Sequence, residues 1–109
     1  MTEKEALEKI KEIILDECNK AGVEVLKIIL FGSRARGDAK KDSDFDVYVV
    51  VSNDLDFKEK QVLITRIKRI LAYIRIPNDI IFSTEHRFES FKNYTGSVDY
   101  YVNRDGRYI

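Results

Sequence analysis

The sequence predicts an α+β domain of two layers, a small β-sheet with helices packed mainly on one face. Apolar residues recur at three- and four-residue steps in long segments, and these alternate with short apolar runs rich in β-branched residues. Glycine, proline and acidic turn residues separate the two kinds of segment. A chain of 109 residues fits one domain, with roughly 65% of its unfolded surface buried on folding.

Taken in order, Thr2 and Glu5 form a capping box, and Leu7, Ile10, Ile14 and Cys18 then line one face of a helix that runs to Gly22. Val25 to Phe31 is a β-rich run that reads as a buried strand and ends at Gly32. The polar stretch Ser33 to Lys41 carries Arg34, Arg36, Lys40 and Lys41 and can open with one helical turn. Phe45 to Val51 is the second strand. Asp56 with Glu59 caps a long helix whose buried face is Leu63, Ile67, Ile70, Leu71 and Ile74, and Pro77 stops it. Asp79 to Ser83 is a third, short strand. Phe88, Phe91, Thr95, Val98 and Val102 then suggest one last helix ending at Gly106, weakened internally by Gly96. Nothing in the pattern reads as a repeat, linker or low-complexity tract, and it does not fix strand order.

Lys+Arg and Asp+Glu both number 19, so no global basic field recruits nucleic acid, and any such affinity would have to be local. The single cysteine, Cys18, excludes an internal disulfide and is expected in the core as a small hydrophobe. The charged opening MTEKEALEKIKE has no signal-peptide core, and no apolar stretch approaches the roughly 20 residues of a membrane span. A cytoplasmic protein is expected.

The chemistry concentrates in GSRARGDAKKDSDFDVYVVV, residues 32–51. Side chains alternate along a strand, so Asp44 and Asp46 point the same way, roughly 6 to 7 Å apart. Uncompensated like charges destabilise a strand, which suggests the pair is put to use. Such a pair suits Mg²⁺, as two ions about 3.5 to 4 Å apart joined by a third carboxylate. Asp79 is the best candidate for that third ligand. Gly32 lets the backbone approach a phosphate, Ser33 offers a hydroxyl and an amide at a helix start, and Arg34 and Arg36 can grip phosphate oxygens bidentately. Simpler roles compete: a solvated strand start for Asp44 and Asp46, a turn acid for Asp79, loop charges for the arginines. His86 lacks metal-ligand neighbours and reads as a surface or helix-start residue. Arg66, Lys68, Arg69 and Arg75 read as a solvated helix face or a docking face, and Tyr94, Tyr100, Tyr101 and Tyr108 as core or interface.

Gly32 and Ser33, after ten intervening residues Asp44 and Asp46, and Asp79 opening a later strand together resemble the DNA polymerase beta-type nucleotidyltransferase superfamily. The short length resembles its minimal nucleotidyltransferase members, and the likeness covers most of the chain. It implies a mixed sheet of the nucleotidyltransferase fold. It also implies a catalytic and metal-binding triad of Asp44, Asp46 and Asp79, with Asp79 nearest the attacking hydroxyl. ATP as substrate, transfer of AMP to a hydroxyl, and two Mg²⁺ ions follow from it. Minimal members pair as antitoxins with a HEPN-domain ribonuclease, so the resemblance implies AMP addition to a tyrosine of such a partner, in a hetero-oligomer. Two alternatives stay open: a non-catalytic module that neutralises its partner by contact, and a small-molecule (antibiotic-type) nucleotidyltransferase whose acceptor pocket would need a homodimer or a second domain.

Overall fold

The structure is a computed structural model and describes all 109 residues. The elements are α1 (Glu3–Lys20), β1 (Val25–Phe31), α2 (Gly32–Arg36), β2 (Phe45–Val51), α3 (Phe57–Tyr73), β3 (Asn78–Thr84), α4 (Glu85–Phe91), α5 (Val98–Asp105) and β4 (Arg107–Tyr108). The sheet order is β3-β2-β1-β4. β1 is antiparallel to both β2 and β4, whereas β2 and β3 run parallel with α3 as their crossover. The sheet is therefore mixed, as expected. Parallel neighbours need a long connection, and α3 supplies it.

The strand alternation divides the core. Phe45, Val47, Val49 and Val51 of β2 and Ile80 and Phe82 of β3 join Ile10, Ile14 and Cys18 of α1 and Leu63, Ile67 and Leu71 of α3 in the larger cluster. Tyr48 and Val50 face the other way and pack with Ile29, Phe31, Phe88 of α4 and Val102 of α5. The two long helices thus cover one face, and α4 and α5 part of the other. No helix is long and apolar enough to cross a membrane.

Local signals explain most boundaries. The Thr2–Glu5 capping box forms, and Asp56 accepts from the Glu59 amide. α3 ends before Pro77 is reached, because Arg75 adopts φ 64° and lets the Arg75 and Ile76 amides return to Ala72 and Leu71. One expectation fails. The single helix through Phe88 and Val102 is two, separated by residues 92–97. Ser97 breaks it: its hydroxyl donates to the carbonyls of Phe91 and Tyr94 and accepts from the Tyr100 amide, which ends one turn and caps the next helix. Phe91 and Val98, expected on the buried face, are exposed.

Candidate active site

The register brings the predicted residues to one level of the sheet. Phe31 pairs with Asp46, and Asp46 with Asp79. Asp46 and Asp79 therefore lie side by side on adjacent strands, and Gly32, the residue that follows Phe31 out of β1, starts α2 next to them. Because Phe45 and Val47 enter the larger core, Asp46 and Asp44 point to the opposite face; Ile80 likewise turns Asp79 to that same face. Asp44 and Asp79 are exposed and Asp46 half-buried. A cleft of about 480 Å³ between α1 and the C-terminal residues lies elsewhere; the acids stand on an open shelf.

Gly32 takes φ 70°, and a Cβ built there would fall onto the Asp46 carboxylate. Both facts demand glycine at this position. The tight turn delivers the chain into α2, whose N-terminus has no side-chain cap. Partial burial raises the Asp46 carboxyl above its usual range, the negative charges of Asp79 and Asp44 add to that, and Arg36 opposes them. The acids thus repel one another across a short gap. They do not yet converge as a three-ligand cluster. Asp79 is instead drawn to Lys68 of α3, with 3.7 Å between Nζ and Oδ1.

The two arginines part company. Arg36 lies near the acids, its Nε 3.3 Å from Asp38 Oδ2 and its Nη1 3.9 Å from Asp105. Arg34 is turned away from them: it donates to the carbonyls of Ser43 and Lys41 and pairs with Glu3. His86 is exposed in the first turn of α4. Tyr94, Tyr101 and Tyr108 are exposed and Tyr100 half-buried, so none belongs to the core.

Sequence reading passed over a polar group two residues further along β2. The buried Tyr48 hydroxyl donates to the fully buried carboxylate of Asp99 on α5. Asp99 Oδ2 has no hydrogen-bond partner, and Arg87 stands 3.9 Å away. Burial, then the hydrogen bond to Asp99, pushes the Tyr48 phenol well above its ordinary range. An aspartate between Val98 and Val102 on the inner face of a helix was the available signal.

A mixed sheet with a Gly-Ser turn set over a row of strand-borne acids defines a nucleotidyltransferase. The chain belongs to the polymerase beta nucleotidyltransferase family, whose sequence model matches residues 8–97. Two proteins of Methanocaldococcus jannaschii, both named as protein adenylyltransferases, are similar to it. One is 37% identical over 79 residues, covering 72% of this chain and 76% of its own. The other is 38% identical over 76 residues, covering 70% and 72%. The fold matches that of a toxin–antitoxin crystal structure with AMP-PNP, with TM-score 0.54 and 16% identity over 89% of this chain and 69% of the other. It also matches a complex of tri-AMPylated Shewanella oneidensis HEPN toxin with its MNT antitoxin, with TM-score 0.59 and 17% identity over 98% and 71%.

Proposed function

We propose that this nucleotidyltransferase moves AMP from ATP to a hydroxyl, a tyrosine of a HEPN-domain partner, and so acts as the partner's antitoxin. The observation that carries the chemistry is the pairing of Asp46 with Asp79 on adjacent strands, with Gly32 set against the Asp46 carboxylate and Asp44 two residues before it. The names of the M. jannaschii relatives and the complexes adopted by the structural neighbours support the acceptor class.

The donor set fits Mg²⁺. It consists of hard oxygens only, the acids crowd one another in a way that a divalent charge would relieve, and Gly32 keeps the space above Asp46 free of a Cβ. Asp44, Asp46 and Asp79 would hold the metal, which supplies neutralisation of charge on the attacking and leaving oxygens. Ser33 and the uncapped start of α2 receive the triphosphate, and Arg36 faces its departing end. The acceptor oxygen bonds to the α-phosphorus, the bond from that phosphorus to the β-phosphate bridging oxygen breaks, and pyrophosphate leaves. Asp79 takes the hydroxyl proton, for which it must release Lys68.

The test is incubation with Mg²⁺, α-labelled ATP and a purified HEPN-domain partner, read by intact mass. The partner should gain AMP with the wild type and not with Asp79→Asn. Full neutralisation of the partner by Asp79→Asn, without added AMP, would support the contact-only module instead.

A further inference from the structure

We propose that Arg34 is a positioning residue for Asp44: it fixes the main chain on both sides of that acid and does not bind phosphate. This rests on the reading of Asp44 as a metal-binding carboxylate. Nε and Nη2 of Arg34 both donate to the Ser43 carbonyl, at 3.2 and 2.9 Å, and Nη2 also donates to the Lys41 carbonyl at 3.1 Å. Nη1 lies 3.4 Å from Glu3 on α1, and the guanidinium stacks 4.4 Å from the centre of the Phe45 ring. Ser43 and Phe45 are the two neighbours of Asp44 in the chain. One side chain therefore holds both.

Direction separates Arg34 from the phosphate side. The Phe45 ring belongs to the core beneath α1 and α3, while Asp44 and Asp46 alternate to the opposite face. A guanidinium laid over that ring has the main chain of β2 between itself and the carboxylates. Its side chain is only 12% exposed and already committed. Phe45 is fixed a second time, its amide donating to the Pro77 carbonyl at 2.9 Å, which ties the entry of β2 to the segment leading into β3 and Asp79. Asp44 itself is exposed, so its aim follows from the backbone that carries it. Only a planar fork can serve the Ser43 carbonyl twice while stacking on a ring, and lysine cannot reproduce this.

The test compares Arg34→Lys, which keeps the positive charge near Glu3 but loses the fork, with Glu3→Gln, which loses the ion pair and keeps the fork. Two quantities are read: amide hydrogen exchange of residues 43–46 in the metal-free protein, and the Mg²⁺ concentration at which ATP raises the melting temperature half-maximally. Arg34→Lys should speed exchange in that segment and raise the Mg²⁺ requirement by about tenfold or more, the usual penalty for losing a group that orients a metal ligand. Binding of ATP in EDTA should not change, and Glu3→Gln should leave both readouts near wild type. Arg36→Lys provides the contrast, weakening ATP with and without metal. An unchanged Mg²⁺ requirement with unchanged exchange, or weaker ATP binding in EDTA for Arg34→Lys, would overturn the assignment. A wild-type protein whose melting responds to no combination of Mg²⁺ and ATP would instead refute the metal-site reading, and the exchange rates would still report whether Arg34 holds the segment.

Discussion

Asp46 and Asp79 are direct partners across the parallel strands β2 and β3 and face the same side of the sheet. Partial burial first, and then repulsion by Asp79 and Asp44, raises the Asp46 carboxyl above its usual range. A carboxyl whose folded pKa lies above its unfolded value favours the fold when protonated, and that contribution is lost as pH rises through the folded pKa. At neutral pH, Asp46→Asn should therefore leave the metal-free protein as stable as wild type or more so. The advantage should fade as pH falls below the ordinary carboxylate range. Urea unfolding at pH 7 and near pH 3.5 checks it, and a marked loss at pH 7 would make Asp46 a structural residue.

Gly32 and Gly37 both have positive φ but differ in surroundings. A Cβ at Gly32 strikes Asp46, whereas one at Gly37 meets open space. Gly37→Ala should cost only the left-handed backbone strain, about 1–2 kcal/mol, and leave nucleotide binding intact. Gly32→Ala should cost more and abolish the stabilisation by MgATP. Equal effects of the two in thermal melting with and without MgATP would remove the close approach as an explanation.

Tyr48 and Asp99 fasten α5 to the sheet. Tyr48→Phe removes the donor to a fully buried carboxylate, and leaving such a group short of a partner costs about 1–3 kcal/mol or more for a charge. A double-mutant cycle with Asp99→Leu should show strong coupling, the pair together costing less than the sum of the two single changes. Additivity would mean that the two side chains act separately.

Lys68 holds Asp79 in a half-exposed ion pair. Lys68→Met should change stability by less than about 1 kcal/mol, as such pairs do. It should also raise the affinity for Mg²⁺ roughly fivefold, the factor equivalent to about 1 kcal/mol for unit charges at 4 Å in water. A Mn²⁺ or Mg²⁺ titration followed by melting temperature measures this. Unaltered affinity would place Lys68 clear of the metal.

The fold was legible wherever periodicity ran long. α1 and α3 show several turns of apolar spacing behind clear caps, and β1 and β2 are bounded by Gly32 and the acids. β4 escaped because two exposed residues carry no alternation, and the break between α4 and α5 escaped because Ser97 acts through hydrogen bonds that spacing does not register. At the site, alternation placed Asp44 and Asp46 on one face, but the pairing of Asp46 with Asp79 is a long-range register that no local pattern contains. The different fates of Arg34 and Arg36 were equally hidden, since two arginines on one short helix diverge only when the strands beneath them are in place.

The most direct test of a metal-dependent nucleotide site is thermal melting with ATP, with and without Mg²⁺. A ligand that binds only the folded state at a hundredfold excess over Kd adds about 2.7 kcal/mol, and each kcal/mol moves the Tm of a domain this size by about 4–8 °C. Saturating MgATP should raise the wild-type melting temperature by about 10 °C or more, ATP with EDTA should do far less, and Asp46→Asn should lose most of the MgATP shift. A wild-type melting temperature that does not move with saturating MgATP would contradict the assignment of Gly32, Ser33, Asp44, Asp46 and Asp79 to a working nucleotidyltransferase site.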